Sequence, residues 1–189
     1  MRKIVVTEFI SLDGVIEDPG GSEKKNFEHE GWTWEFHNEE IEQFKQNELE
    51  SADALLLGRV TYEAFAAVWP TMQDTGDFGE RFNNYPKHVV SSSLKTAEWN
   101  NSHIINGNIA EKVGRVKQEA GKDILVFGSA KLAQTLMAHT LVDEYRLLVY
   151  PIVLGSGKRL FTDTPKTALK LVESKSFASG VVLLKYHPA

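Results

Sequence analysis

Three short stretches carry residues able to grip a phosphorylated ligand: Gly58-Arg59-Val60-Thr61, Ser91-Ser92-Ser93 and Gly128-Ser129-Ala130, the last followed by Leu132. Each follows a run that reads as a strand: Ala54-Leu55-Leu56-Leu57, Lys87 to Ser91, and Ile124-Leu125-Val126-Phe127. A strand that turns through glycine into a helix leaves first-turn N–H groups free at the carboxyl end of a sheet. Open α/β sheets bind phosphates there. Arg59 adds a fixed positive charge with a forked donor set. In a parallel sheet all three ends face one rim. Together they offer backbone amides, hydroxyls and one guanidinium to a pyrophosphate and a ribose phosphate. Taken singly, each is an ordinary turn, with glycine at a corner or serine as a cap. Their coincidence favours the binding site.

Other candidates divide between two roles. Glu39 and Glu40 sit in the first turn of a helix, where the dipole alone accounts for acidic residues. A carboxylate facing an apolar cleft would instead have its pKa raised and could protonate a substrate. Asp13, before Gly14, is either a turn aspartate or a second proton donor. Trp32 and Trp34 read as core packing, or as a cover for a flat heterocycle. The six histidines show no H-x-x-x-H or H-x-H spacing and cysteine is absent, so no metal site is expected. There is no G-x-S-x-G elbow and no G-x-G-x-x-G after the first strand; Gly155-Ser156-Gly157 comes late and reads as a tight turn.

The elements that must position these residues follow from periodicity. Lys3 to Ile10 reads as an opening strand, and Glu17 to Gly31 as a long surface loop. Asn38 is a plausible N-cap for a helix running to about Ser51. A second helix follows Gly58 and stops before Trp69-Pro70. Thr71 to Tyr85, rich in Gly, Asp and Asn, reads as irregular. Ser102 to Ile105 reads as a strand, Ile109 to Ala120 as a helix stopped by Gly121, and Ser129 as the cap of another helix. Glu144 to Leu154 reads as a long strand bent by Pro151 or lying at an edge. Leu169 to Lys175 and Val181 to Tyr186 close the chain as an antiparallel hairpin. Alternating strands and helices followed by strands alone predict an α/β fold, a mostly parallel sheet with helices on both faces.

With 189 residues, 42% hydrophobic and 25% charged, the chain is expected to form one globular domain, residues 1–189. A net charge of −5 without a basic patch argues against nucleic acid. No apolar run approaches the roughly 20 residues that span a bilayer. A cytoplasmic protein with no membrane partner is expected.

These residues resemble a known family. Leu57-Gly58-Arg59-x-Thr61-x-Glu63 looks like the cofactor-binding corner of dihydrofolate reductases, and Ser91-Ser92-Ser93 is similar to their turn near the NADPH 2′-phosphate. The helix Glu39 to Leu49, with Phe44-Lys45-x-Asn47, resembles theirs and puts Glu40 where they keep a substrate-binding carboxylate. Ser11-Leu12-Asp13-Gly14, Leu141-Val142-Asp143-Glu144 and Pro151-Ile152-Val153-Leu154-Gly155 look more like the reductase domain of the bifunctional riboflavin-biosynthesis deaminase-reductase. Two departures stand out. Gly128-Ser129 replaces the usual Gly-Gly, and Tyr62-Glu63-Ala64-Phe65 replaces an acidic, proline-containing stretch.

The resemblance implies a three-layer α/β/α dihydrofolate-reductase-like fold, a homodimer, and NADPH-dependent reduction of a small heterocycle. The nearest named activity is that of 5-amino-6-(5-phosphoribosylamino)uracil reductase. NADPH would be held by Gly58, Arg59, Thr61, Ser91, Ser92, Ser93, Phe127, Gly128, Ser129, Ala130 and Leu132. Glu40 or Asp13 would serve catalysis, and Trp32 and Trp34 the substrate. The loop from Asp13 to Trp34 would close over the nicotinamide. The competing expectation is a non-catalytic nucleotide- or pterin-binding module that kept the cofactor rim.

Overall fold

The computed structural model describes residues 1–22, 27–162 and 164–189, so part of the Glu17 to Gly31 loop lies outside the described residues. Among those described, eight strands form one sheet: β1 (Ile4–Ser11), β2 (Ala52–Gly58), β3 (Lys87–Val90), β4 (Ser102–Ile105), β5 (Asp123–Phe127), β6 (Glu144–Tyr150), β7 (Leu169–Ser176) and β8 (Val182–Pro188). Their spatial order is β4-β3-β2-β5-β1-β6-β8-β7. The first six run parallel, and β8 pairs antiparallel with β6 and β7. The helices are α1 (Glu39–Glu50), α2 (Arg59–Val68), α3 (Gly76–Asn84), α4 (Ile109–Gln118) and α5 (Ala130–Ala138).

Central strands β1, β2 and β5 are buried along nearly their whole length, as strands covered on both faces must be. From β1 the chain winds outward to β4, then returns through β5 to β6 on the far side of β1. That reversal separates the helices. Val113 of α4 and Leu132, Ala133 and Leu136 of α5 pack on Ile4, Val6, Leu56 and Val126. Leu49 of α1, Tyr62 of α2 and Phe82 of α3 pack on Val5, Leu55, Leu57 and Leu125 of the opposite face. A third cluster, around Trp32, Ile41, Leu148 and Tyr150, covers the β6–β8 part of the α1 face. The three-layer arrangement follows from the alternating strands and helices, as expected.

Local signals hold at most boundaries. The Asn38 side chain accepts from the Glu40 and Ile41 amides at 2.9 and 3.4 Å, capping α1. Ser129 stands at the N-cap of α5, but its hydroxyl makes no capping bond. Two expectations are corrected. Thr71 to Tyr85 is not irregular throughout, since α3 occupies Gly76–Asn84. Its sequence is a poor helix former, but Phe78 and Phe82 pack against Trp69 at centroid distances of 5.6 and 4.6 Å, and tertiary burial decides the outcome. The strand from Glu144 stops at Tyr150 instead of continuing to Leu154, and it lies inside the sheet. Pro151 has no N–H for the ladder, and Ile152 turns back to donate to the Tyr150 carbonyl at 2.8 Å. Among the described residues no helix is long and apolar enough to cross a membrane.

Candidate active site

The corners after β2 and β5 are built to fit into each other. These strands are neighbours, and both helices that follow begin at the same rim. A Cβ on Gly58 would come within 2.4 Å of the Ser129 hydroxyl oxygen. Gly128 has φ +48°, and a Cβ there would come within 2.6 Å of Thr61 Oγ1. Glycine at both positions is therefore a condition of the close approach. The Gly128–Ser129 peptide bond is cis. Thr61 Oγ1 is fully buried and has no hydrogen-bond partner among the described residues. A buried hydroxyl without a partner is costly unless a ligand completes it. With the first-turn amides of α2 and α5 beside it, this donor set fits the phosphates of a dinucleotide.

Register brings the other phosphate candidates alongside. Gly58 pairs with Val90, so Arg59 and Ser91 each follow a member of one matched pair. Ser91 is buried, and its hydroxyl accepts from the Ser93 and Leu94 amides at 3.2 and 2.9 Å, shaping the turn. Ser92 and Ser93 are exposed on that turn. Arg59 is exposed as well and pairs with Glu63 at 2.8 Å, a contact that a more strongly charged partner could replace. Phe127, Ala130 and Leu132 stand at the β5 corner, the last two buried.

On the α1 face a cleft of about 800 Å³ opens beside this rim. Trp34, Phe36, Trp69 and Phe78 contribute its aromatic walls, Phe9 and Tyr150 its inner side, and Glu39, Glu42 and Gln46 of α1 its polar side. Lys45 lines it too, with a side chain only 12% exposed. The Lys45 ammonium donates to Thr7 Oγ1 at 2.8 Å and ion-pairs with Glu48, which is wholly buried. It lies 5.4 Å from the Phe9 ring centre and 4.6 Å from that of Phe127. Phe127 directly precedes Gly128, so Lys45 stands where the cleft meets the glycine rim.

Behind it the charges continue. Glu48 receives Arg146 Nη1 at 3.3 Å, and Arg146 also reaches Glu144 at 2.6 Å and Asp123 at 3.6 Å. Burial works against the Arg146 charge, but Glu48 and Glu144 outweigh it and raise the guanidinium pKa above its ordinary value.

Four candidates stand apart from the cofactor rim or serve another purpose. Glu40 is not turned into the cleft; it is half exposed and pairs with Lys175 of β7 at 3.3 Å. Helical geometry is the reason, since Glu39 and Glu42 take the cleft-facing positions of that turn. Asp13 accepts from Ser11 Oγ at 2.7 Å, and from the Leu154 and Gly155 amides at 3.1 and 2.9 Å. The Ser11 hydroxyl foremost, with the two amides beside it, outweighs the burial that works against the charge and holds its pKa at about 2. It is a carboxylate clamp for the loop after β6, unsuited to proton donation at neutral pH. Trp32 is 5% exposed, donates to the Glu17 carbonyl at 2.9 Å and packs edge-on against Tyr150. It is core. Trp34, 69% exposed and lining the cleft, stays available to a ligand.

Lys45 is the functional candidate that inspection of the sequence passes over. With Glu48 three residues on, it reads as a solvated helix pair. Only burial of Glu48 against Arg146 of β6 distinguishes it.

An eight-stranded sheet with this strand order, and a cleft beside its carboxyl-end rim, defines a dihydrofolate-reductase-like α/β protein. The chain belongs to the RibD C-terminal domain family, whose pattern it matches over residues 2–183. It is 33% identical over 189 residues to the uncharacterized protein YyaP of Bacillus subtilis, covering 98% of this chain and 95% of that one. The deaminase/5-amino-6-(5-phosphoribosylamino)uracil reductase of Thermotoga maritima superposes with a TM-score of 0.67 at 15% identity, over 100% of this chain and 57% of that one. A dihydrofolate reductase from Enterococcus faecalis, solved with NADP(H), gives a TM-score of 0.59 at 15% identity, over 98% and 96% of the two chains. At these identities the two structures establish a shared fold.

Proposed function

We propose that this protein is an NADPH-dependent reductase of a small, flat heterocycle such as an aminopyrimidine or pterin. The observation that carries the reading is the buried, unpartnered Thr61 hydroxyl between two interlocked glycine corners, next to an aromatic-walled cleft. The uracil reductase and the NADP(H)-bound dihydrofolate reductase among its structural neighbours support the same direction.

NADPH, when bound, supplies the hydride. Thr61 and the amides opening α2 and α5 would hold its pyrophosphate, and Arg59 with Ser92 and Ser93 its 2′-phosphate. Trp34, Phe36 and Trp69 would flank the heterocycle and exclude water from its faces. Tyr150 would remain neutral there, because burial raises its phenol pKa above the ordinary value. The same reading includes a homodimer, for which the exposed Leu171 and Val172 of edge strand β7 offer a surface and sedimentation equilibrium the test.

Stopped-flow oxidation of bound NADPH against pyrimidine, pterin and quinone acceptors tests the activity. Acceleration by a pyrimidine or pterin is expected. If NADPH binds and no acceptor speeds its oxidation, the protein is a nucleotide-binding module instead.

A further inference from the structure

We propose that Lys45 is a catalytic residue: its ammonium binds the oxygen or nitrogen of the acceptor's C=O or C=N bond and protonates it as hydride arrives. This rests on the reductase reading and narrows its substrate to planar heterocycles that gather negative charge on a ring carbonyl or imine.

An ammonium has three N–H bonds. One goes to Thr7 and one to Glu48, and the third has no acceptor among the described residues, although Lys45 lines the cleft. The Phe9 and Phe127 rings flank the charge and limit its contact with water. Its alternative partner is already engaged. Glu48 also accepts from Thr7 at 3.0 Å and from Arg146 at 3.3 Å, so the cluster does not need the whole of the Lys45 charge. The described carboxylates nearest the cleft lack the environment of a proton donor. Glu39, Glu42 and Asp74 line it but are exposed, as is His37, and Asp13 is committed to its clamp. Tyr150 also carries a proton at the inner side, but as a neutral phenol whose ionisation burial disfavours, so Lys45 is the cationic donor at the floor with an N–H bond to spare.

Hydride forms a C–H bond at the acceptor carbon, and the C=O or C=N π pair moves onto the heteroatom. A Lys45 N–H bond breaks to form O–H or N–H. The acceptor is reduced, the nicotinamide is oxidised, and the Lys45 amine regains a proton from solvent.

Barbiturate, a planar pyrimidine anion at neutral pH, probes the contact without turnover. Calorimetric titration of the full chain, free of NADPH, should show that Lys45→Met and Lys45→Gln each weaken barbiturate at least about tenfold, the worth of one charge-assisted hydrogen bond. Both variants should keep NADPH affinity within about twofold and lower turnover about 100-fold or more, as loss of a general acid does. Lys45→Gln retains a neutral donor toward Thr7 and Glu48, which keeps the test valid if the methionine variant folds poorly. Equal barbiturate affinity in wild type and the folded variant, or no barbiturate binding by the wild type, overturns the proposal. If NADPH fails to bind while barbiturate affinity still depends on Lys45, the anion contact stands and the reductase reading falls.

Discussion

The rim at the ends of β2 and β5 and the floor of the adjoining cleft touch at Phe127, yet different forces hold them. The rim is a matter of backbone: two glycines let two corners approach within distances that any side chain would forbid. The floor is a matter of charge: Lys45 and Glu48 from α1 and Arg146 from β6, gathered around Thr7 of β1 in a largely buried network. A buried ion cluster contributes little net stability when complete and costs a great deal when one member is removed. A glycine corner fails sterically and locally. Short segments thus specify the glycine rim, whereas long-range packing specifies the charged floor.

Breaking the floor should have the largest effect. Arg146→Met strips a shared cation from Glu48, Glu144 and Asp123, and should cost about 3–5 kcal/mol in urea unfolding. A cost under about 1 kcal/mol would show that the cluster is not desolvated enough to matter. At the rim, Gly128→Ala imposes a side chain at positive φ and drives it into Thr61, for a loss of about 2–4 kcal/mol. Gly14→Ala makes the comparison sharper. Its φ is +87°, but nothing lies within 4 Å of the added Cβ, so only about 1–2 kcal/mol of backbone strain should appear. Equal losses at the two glycines would remove the steric account of the rim.

Substitutions on the ligand side should leave folding almost untouched. Thr61→Val deletes an unpartnered hydroxyl, so stability should change by less than about 0.5 kcal/mol while NADPH affinity falls about tenfold. Arg59→Ala should weaken NADPH about tenfold more than NADH, because only NADPH carries the extra phosphate. Equal weakening of both would take Arg59 out of that role.

The smallest expected effect is a pH dependence. Asp13 has a folded pKa of about 2 against an ordinary 3.8, so its contribution is complete above about pH 4 and disappears as pH falls through about 2. Asp13→Asn should flatten acid denaturation in that window. An unchanged acid limb would show that the clamp does not depend on charge.

Much of this was legible from residue order. Buried strands without alternation, the Asn38 cap and the run of strands after Leu169 all yield to local rules. α3 was not legible, because the propensities of Gly76 to Asn84 oppose a helix and the aromatic packing of Phe78 and Phe82 overrides them. The end of β6 was missed for a related reason. Pro151 signals a break, but the carbonyl that turns Ile152 back is visible only in the folded chain.

The site divides along the same line. Gly58, Thr61 and Gly128 could be singled out from sequence, since a glycine closing a buried strand has few explanations. By itself the sequence determined the order of layers, the place of the rim and the residue types available to a phosphate. Which acidic and basic groups face the cleft was decided by tertiary structure. Glu40 and Glu39 are adjacent and alike in sequence, yet a helix turns one toward Lys175 and the other toward the cleft. Lys45 is an ordinary helical lysine until β1 and β6 bring Thr7 and Arg146 beneath it, because burial is a property of the assembled sheet and not of any one segment.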